Sequence, residues 1–278
     1  MTAFRKHAGL FQSGVIWFLA LVALLPFVQI VWIAQKPRSH VDASWYYLSQ
    51  KMPAREVEQK IEIDARPLRV ALRNSVIVST TCALLGICLS LFAGYAFAKK
   101  SFPGKGFLFD LVVVSMALPP AMLMMPLFRI SIMLRLYDTF AALILPAAVT
   151  GFGIFYMRLI LSSVPDSIIH SARLDGLSET KLLLRIVVPM IWPAILTLGV
   201  MQFIITWNSF IIPHTLIASP SNYTASVLLG RLLSDYRGLM WNDIMIVVAA
   251  AIVPVAIIFA ACNRVLIRNL ADVDSSDA

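Results

Sequence analysis

The chain has 278 residues, of which 59% are hydrophobic and 14% charged, with a mean hydropathy of +0.82 and a formal net charge of +8. A water-soluble domain carries about a quarter charged residues, so this composition excludes an ordinary soluble fold and points to an integral membrane protein.

Crossing about 30 Å of hydrocarbon takes about 20 apolar residues in a helix, and the sequence offers six such runs: about 14 to 34, 75 to 98, 107 to 128, 139 to 161, 190 to 213 and 241 to 262. Six transmembrane helices put both termini on one side. The first run is entered through MTAFRKHAGLFQSGVIWF, which has the basic flank of a signal peptide. Its apolar part is too long for one and lacks a small-residue cleavage site, so it is expected to remain as the first helix. The connections at about 35 to 68 and 214 to 240 are expected to be outer loops capping the bundle. No internal repeat, low-complexity tract or Gly/Ser linker divides the chain, so residues 1–278 read as a single membrane domain.

Prolines interrupt several runs: Pro26, Pro119, Pro120, Pro126, Pro146, Pro193 and Pro254. Each breaks the helical ladder locally, which is tolerated where neighbouring helices re-satisfy the backbone. Pro119-Pro120 reads as an architectural kink rather than a gate. Cys82, Cys88 and Cys262 all fall in apolar runs without metal-ligand spacing and read as small core residues.

Orientation follows Lys and Arg. With the N-terminus inside, 11 of the 23 fall on the cytoplasmic side, among them Arg5, Lys99, Lys100, Lys105, Arg173, Lys181 and Arg268. Eight of the other 12 (Lys36, Arg38, Lys51, Arg55, Lys60, Arg66, Arg69 and Arg73) lie in or beside the long first connection, mixed with acidic residues. Leaving that segment out gives 11 inside against 4 outside, which places both termini and the stretch at 171 to 189 in the cytoplasm.

The chain has no phosphate-binding loop of the G-x-x-x-x-G-K-[ST] type, no H-E-x-x-H and no G-x-S-x-G, and its four histidines are scattered. It is expected to have no catalytic residues, no metal site and no cofactor of its own. An ion-coupled transporter needs ionisable groups near mid-membrane, whereas Asp110, Arg129, Arg158 and Asp243 sit near run ends.

Between the fourth and fifth runs lies a polar loop, about 164 to 190, containing SARLDGLSETKLLLRIVVP. Asp166 is expected to cap a short helix from Ser167 to Leu174, and Gly176 to end it in a left-handed conformation. Ser178 is expected to cap a second helix, with Leu182, Leu183, Ile186 and Val187 as its apolar face, until Pro189 stops it. Glu179 early and Lys181 and Arg185 later suit the helix dipole. The product is a two-helix knob, and on these features alone a surface-lying connector fits as well as a docking element.

The segment SARLDGLSETKLLLRIVVPMIWP resembles the cytoplasmic loop of ATP-binding-cassette importer permeases, which reads roughly Glu-Ala-Ala, three residues ending in Asp, Gly, then about ten residues to a proline. The likeness extends through Asn74-Ser75, Tyr95-Ala96-Phe97-Ala98, Phe102-Pro103-Gly104-Lys105, Pro119, Pro126-Leu127, Trp207-Asn208, Asn222-Tyr223-Thr224, Trp241 and Pro254. The order is similar to the shorter permease subunit of carbohydrate importers of the maltose-transporter type. That resemblance implies an all-α type I importer permease fold with a cytoplasmic coupling helix, in which Ser171, Ala172, Arg173, Leu174, Asp175, Gly176, Leu177 and Pro189 engage an ATPase subunit.

It further implies a second homologous permease subunit (a heterodimer), two ATP-binding subunits that hold ATP and Mg, and an extracytoplasmic solute-binding protein. It implies a bacterial inner membrane, contact with membrane lipid, and no nucleic acid. The chain departs from the pattern twice. His170-Ser171-Ala172 stands where the family has Glu-Ala-Ala, and the C-terminus LADVDSSDA is not the Gly-rich tail of the maltose-type subunit.

Polar groups in the runs, Asn74, Gln202, Thr206, Trp207 and Asn208, are the candidates for lining a sugar path, since hydroxyls need hydrogen-bond partners and sugar rings stack on aromatic faces. Helix-to-helix hydrogen bonding is the alternative role. Two other functional readings stay open: a permease for a different small solute, such as a polyamine or other organic ion, and a non-transporting membrane scaffold. Co-purified partners separate them.

Overall fold

The computed structural model describes residues 28–32, 34–35, 65–234 and 241–274, and among these every regular element is helical. Most of the first predicted run and of the first outer loop lies outside the described residues. The chain divides into two compact units, residues 65–230 with 254–278 and residues 1–64 with 231–253.

From Ala65 onward the elements are α1 (Ala65–Lys99), α2 (Lys105–Ser115), α3 (Pro120–Met133), α4 (Phe140–Ala148), α5 (Gly151–Ser162), α6 (Asp166–Leu174), α7 (Glu179–Leu182), a π-helical stretch (Leu183–Val187), α8 (Val188–Met190), α9 (Trp192–Trp207), α10 (Ile211–Leu216), a 3-10 turn (Pro220–Asn222) and α11 (Ala225–Ser234). The last helix is α12 (Trp241–Asp274). Among the described residues, three helical segments are long and apolar enough to cross a membrane as they stand: Pro67–Lys99, Phe140–Ser162 and Ile244–Ala261. Two further pairs, Lys105–Ser115 with Pro120–Met133 and Glu179–Met190 with Trp192–Trp207, are apolar and long enough only when taken together, and each is sharply bent.

The predicted runs need four corrections. The second begins at Ala65, not 75, so the tail of the first outer loop is helix. The third is not one rod: α2 and α3 meet at 104° across Met116–Pro119. Pro119 is extended (φ −62°, ψ 134°) because Pro120 follows it and forbids it the helical region. The sequence showed a kink there; two consecutive prolines make it a corner. The fifth opens at a corner of 86° between Glu179–Met190 and Trp192–Trp207, and its helix ends at Trp207 rather than 213, with Ile211–Leu216 as a separate short helix. The sixth continues as helix past Ala261 to Asp274 with Pro254 inside it.

The core forms where α1 runs against α5, α9 and α4. A lipid-facing helix has no hydrophobic force to hold it to its neighbour, so close approach of small residues does that work. At Gly94 a Cβ would lie 2.6 Å from Met157 Cβ and 2.9 Å from the Arg158 amide nitrogen, so only glycine allows the α1–α5 contact. Buried Ser90 faces Gly153 on the same seam.

Cys82 is fully buried, but Cys88 is exposed, against the reading of both as core. In a membrane helix both faces are apolar, so hydropathy does not reveal which side packs inward.

Candidate functional site

The loop at 164 to 190 folds into a helical hairpin. Its first leg is α6, whose last turn closes in a Schellman motif: the Leu177 N–H donates to the Ala172 carbonyl (3.2 Å) and the Gly176 N–H to that of Arg173 (3.0 Å). This motif requires a left-handed residue after the cap, and Gly176 has φ +78°. Leu177 and Ala172 share the same apolar cluster, the contact that commonly accompanies the motif.

The second leg runs from Glu179 to Met190 through α7, the π-helical stretch and α8. Pro189 does not stop it, contrary to expectation. The preceding π-helical turns have already disrupted the i−4 ladder, so a missing proline N–H costs little. The break comes at Ile191 (φ −104°, ψ 15°), ahead of Trp192-Pro193.

The hairpin has two unlike faces. Ile169, Ala172, Leu182, Leu183 and Val187 point inward and join Leu91, Tyr95, Met157, Leu161, Ile195 and Leu198 in one buried cluster. The apex is bare: Leu174 is 88% exposed, the highest value among the described large hydrophobic residues, and Asp175 and Gly176 beside it are exposed as well.

Two expected caps are absent. Asp166 makes no side-chain cap; its carboxylate accepts instead from Lys99 Nζ at 2.7 Å, and that ammonium holds it below the usual carboxylate range. Ser178 sits at the N-cap of α7 with extended backbone, but its hydroxyl makes no cap bond either. His170 places Nδ1 2.6 Å from the Asp166 carbonyl.

Glu179, valued from sequence only for its place in the dipole, is a junction. Its Oε1 lies 2.6 Å from Lys100 Nζ and accepts from Arg173 Nε at 2.9 Å, while Oε2 accepts from the Tyr95 hydroxyl at 2.8 Å. The hydrogen bond from Lys100, with those from Tyr95 and Arg173, holds the carboxyl down to about 2 in spite of its partial burial. The missed signal was in the sequence as Tyr95 and Lys99-Lys100 at the end of a span, with nothing to say what they meet.

The five path candidates separate. Asn74 is fully buried and donates from Nδ2 to the Ser221 (2.8 Å) and Tyr223 (3.0 Å) carbonyls. The Ser75 hydroxyl accepts from the Ala225 N–H at 2.8 Å. The Asn74-Ser75 and Asn222-Tyr223-Thr224 motifs therefore meet in space. Gln202 is buried and donates to the Ala147 carbonyl. Trp207 is buried, stacked on Phe203 at 5.6 Å. Thr206 is half-buried, and Asn208, at the end of α9, is exposed and donates to the Ile204 carbonyl.

Sequence reasoning also missed Asp138. At φ +61° it joins α3 to α4, and its carboxylate accepts from the Ala218 N–H (3.0 Å), the Ser219 N–H (3.0 Å) and the Ser219 hydroxyl. Its own carbonyl accepts from Asn222 Nδ2 at 2.8 Å. Burial would raise its carboxyl, but these donors bring it below the ordinary value. Asp138→Ala strips the acceptors and leaves a β-carbon at positive φ, so a loss of about 2–3 kcal/mol is expected. Asp138→Asn, which keeps one oxygen and tolerates that φ, should lose less. Thermal midpoints of the two purified variants in detergent check the order.

Over 255 residues, 91% of each chain, the protein is 28% identical to the arabinooligosaccharides transport system permease protein AraQ of Halalkalibacterium halodurans. It is 31% identical to the protein of the same name from Bacillus subtilis over 71% of this chain and 70% of that one. With the sn-glycerol-3-phosphate transport system permease protein UgpE of Salmonella typhimurium it shares 24% identity over 76% of each. Among solved structures, a chain of a bacterial ABC transporter involved in the import of the acidic polysaccharide alginate has the same fold, with a TM-score of 0.74 over 93% of this chain and 96% of that one at 18% identity. Residues 86–272 match the family of binding-protein-dependent transport system inner membrane components, and the chain belongs to that family.

Proposed function

We propose that this chain is the membrane-spanning permease subunit of an ATP-driven, binding-protein-dependent importer of a sugar or oligosaccharide, working by alternating access. The observation that carries the reading is the 164–190 hairpin: an apolar inner face locked into the core, and a bare, glycine-turned apex with Leu174 exposed. A connector has no use for an exposed leucine on a rigid tip; a docking element does. The sugar class rests on the arabinooligosaccharide permeases among its relatives and on the alginate importer sharing its fold.

In this reading residues 1–278 form one permease domain with six crossings, both termini lie in the cytoplasm of a bacterial inner-membrane protein, and the hairpin is the coupling helix. Ser171, Ala172, Arg173, Leu174, Asp175, Gly176, Leu177 and Pro189 form or frame its contact with one ATPase subunit. A second, homologous permease subunit supplies the other hairpin, and ATP and Mg belong to two ATPase subunits. Their closure moves the hairpins, and the attached spans tilt between inward-open and outward-open states around a midplane site. Loss of the glutamate from the start of the loop shifts docking toward shape and Asp175. Of the path candidates, Thr206 and Asn208 have surface to offer a passing sugar, whereas Asn74, Gln202 and Trp207 act as ties between packed segments.

Co-expression with the neighbouring genes tests the whole. The purified chain should bring down an ATPase, a second permease and a binding protein, hydrolyse no ATP alone, and in the complex support hydrolysis that rises with loaded binding protein. Nucleotide turnover by this polypeptide alone, or purification without an ATPase, would refute the reading.

Sidedness has its own check. In a background lacking the three cysteines, Ser178→Cys should react with an impermeant maleimide only from the cytoplasm and Ser221→Cys only from outside; both positions are exposed. The reverse pattern would invert the topology and remove the coupling role.

A further inference from the structure

We propose that Glu179 is a positioning residue that clasps the hairpin to the end of α1, so that α1 is carried with the hairpin although no nearby stretch of chain joins them. This rests on the permease reading above.

Covalently, the hairpin continues only into α5, through Ser163–Pro165, and into α9, through Ile191. The second joint is a poor transmitter. It lies beyond a π-helical stretch and turns by 86°, and such irregular turns are where helices yield. A motion of the hairpin would be partly absorbed there.

Toward α1 the connection is of another kind. The last turn of α1 and the residue after it give the hairpin three polar side chains. Tyr95 and Lys100 take the Glu179 carboxylate, and Lys99 reaches both the Asp166 carboxylate (2.7 Å) and the Val164 carbonyl (2.6 Å). Glu179 also receives Arg173 of the first leg, so a single carboxylate joins both legs of the hairpin and α1.

An exposed ion pair holds little because water and side-chain entropy compete with it. The Lys100–Glu179 pair is itself exposed (38% and 41%) and adds little alone; what resists release is that Tyr95 is buried and the Lys99 side chain 7% exposed, so letting go would leave a phenol and an ammonium without these partners in a poorly hydrated place. Beneath the polar contacts, Tyr95 and Leu91 share the buried cluster with Leu182 and Leu183 of the second leg. The clasp fixes the register, and the cluster resists separation.

A residue that merely folded the hairpin would show itself in assembly; one that carries α1 shows itself in coupling. The test uses the complete complex in liposomes with its binding protein. It reads assembly by size exclusion, basal ATP hydrolysis, stimulated hydrolysis, and solute taken up per ATP.

Tyr95→Phe/Lys100→Met cuts the clasp on the α1 side and leaves the Glu179–Arg173 bond within the hairpin. It should assemble and keep basal hydrolysis, but lose at least about fivefold in stimulation and in solute per ATP, the scale of a modest coupling free energy. Glu179→Ala should match it, and Glu179→Gln, which keeps an acceptor for the tyrosine, should fall between. Wild-type stimulation and stoichiometry in the assembled double variant would overturn the proposal. Loss of assembly in every variant, the glutamine one included, would also overturn it and reduce Glu179 to a folding residue. A wild-type chain that recruits no ATPase would instead sink the permease reading itself.

Discussion

Gly176→Val is expected to reach the membrane at normal abundance and to abolish most transport, together with most of the ATP hydrolysis that loaded binding protein elicits. A Cβ at this position meets nothing within 4 Å, so the defect cannot come from a clash. It comes from the backbone: at φ +78° a β-branched residue is strained by about 1–3 kcal/mol. The chain can relieve that strain only by opening the Schellman turn, which re-aims Leu174 and Asp175. Gly176→Asn, a residue that tolerates left-handed geometry, should retain much of the activity. Asp175→Ala, which leaves the turn intact, should show a mild defect. The readouts are uptake and stimulated hydrolysis at equal membrane abundance, and wild-type values for the valine variant would mean that the hairpin is only a connector.

Gly94→Val is expected to do the opposite, harming the fold before the function. The added β-carbon would stand 2.6 Å from Met157 Cβ and 2.9 Å from a backbone nitrogen, and backbone cannot swing aside as a side chain does. Overpacking of this kind costs about 1–3 kcal/mol, and here the shift would fall along the α1–α5 seam. Low yield, a broadened size-exclusion peak and a depressed thermal midpoint should follow, with Gly94→Ala showing the same signs less strongly. Met157→Ala should not rescue either variant, since it leaves the offending Cβ in place. A Gly94→Val protein with the wild-type midpoint would show that the two helices do not approach so closely.

The two glycines mark the limits of what a linear reading supplies. The turn at Asp175-Gly176 was legible because a left-handed cap is a local affair: a polar pair, a glycine and an apolar residue to fold back are all within a few positions. Gly94 looked like any small residue in an apolar run, because its reason for being glycine lies on a helix more than sixty positions away. Asp166 fails in the same way. Its place after Pro165 made it a cap, and Lys99, 67 positions earlier, took its carboxylate. Glu179 and Asp138 each gather partners from distant segments, and neither has a spacing that announces it. The corners at Met116–Pro119 and Ile191 were visible as prolines but not as angles, since a proline dictates where a ladder breaks and the neighbours decide how far it bends.

Asn74 and Ser75 hold the segment at 221 to 225, and Tyr95, Lys99 and Lys100 hold the hairpin, yet all but Lys100 belong to one uninterrupted helix. At 1.5 Å per residue the two grips are about 36 Å apart. Such a rod is a lever: a tilt of about 10° swings one end by about 6 Å relative to the other over that length. A nudge at the hairpin would therefore be felt at the far surface as a displacement large enough to loosen or seat whatever rests there, with no second signal having to cross the bilayer.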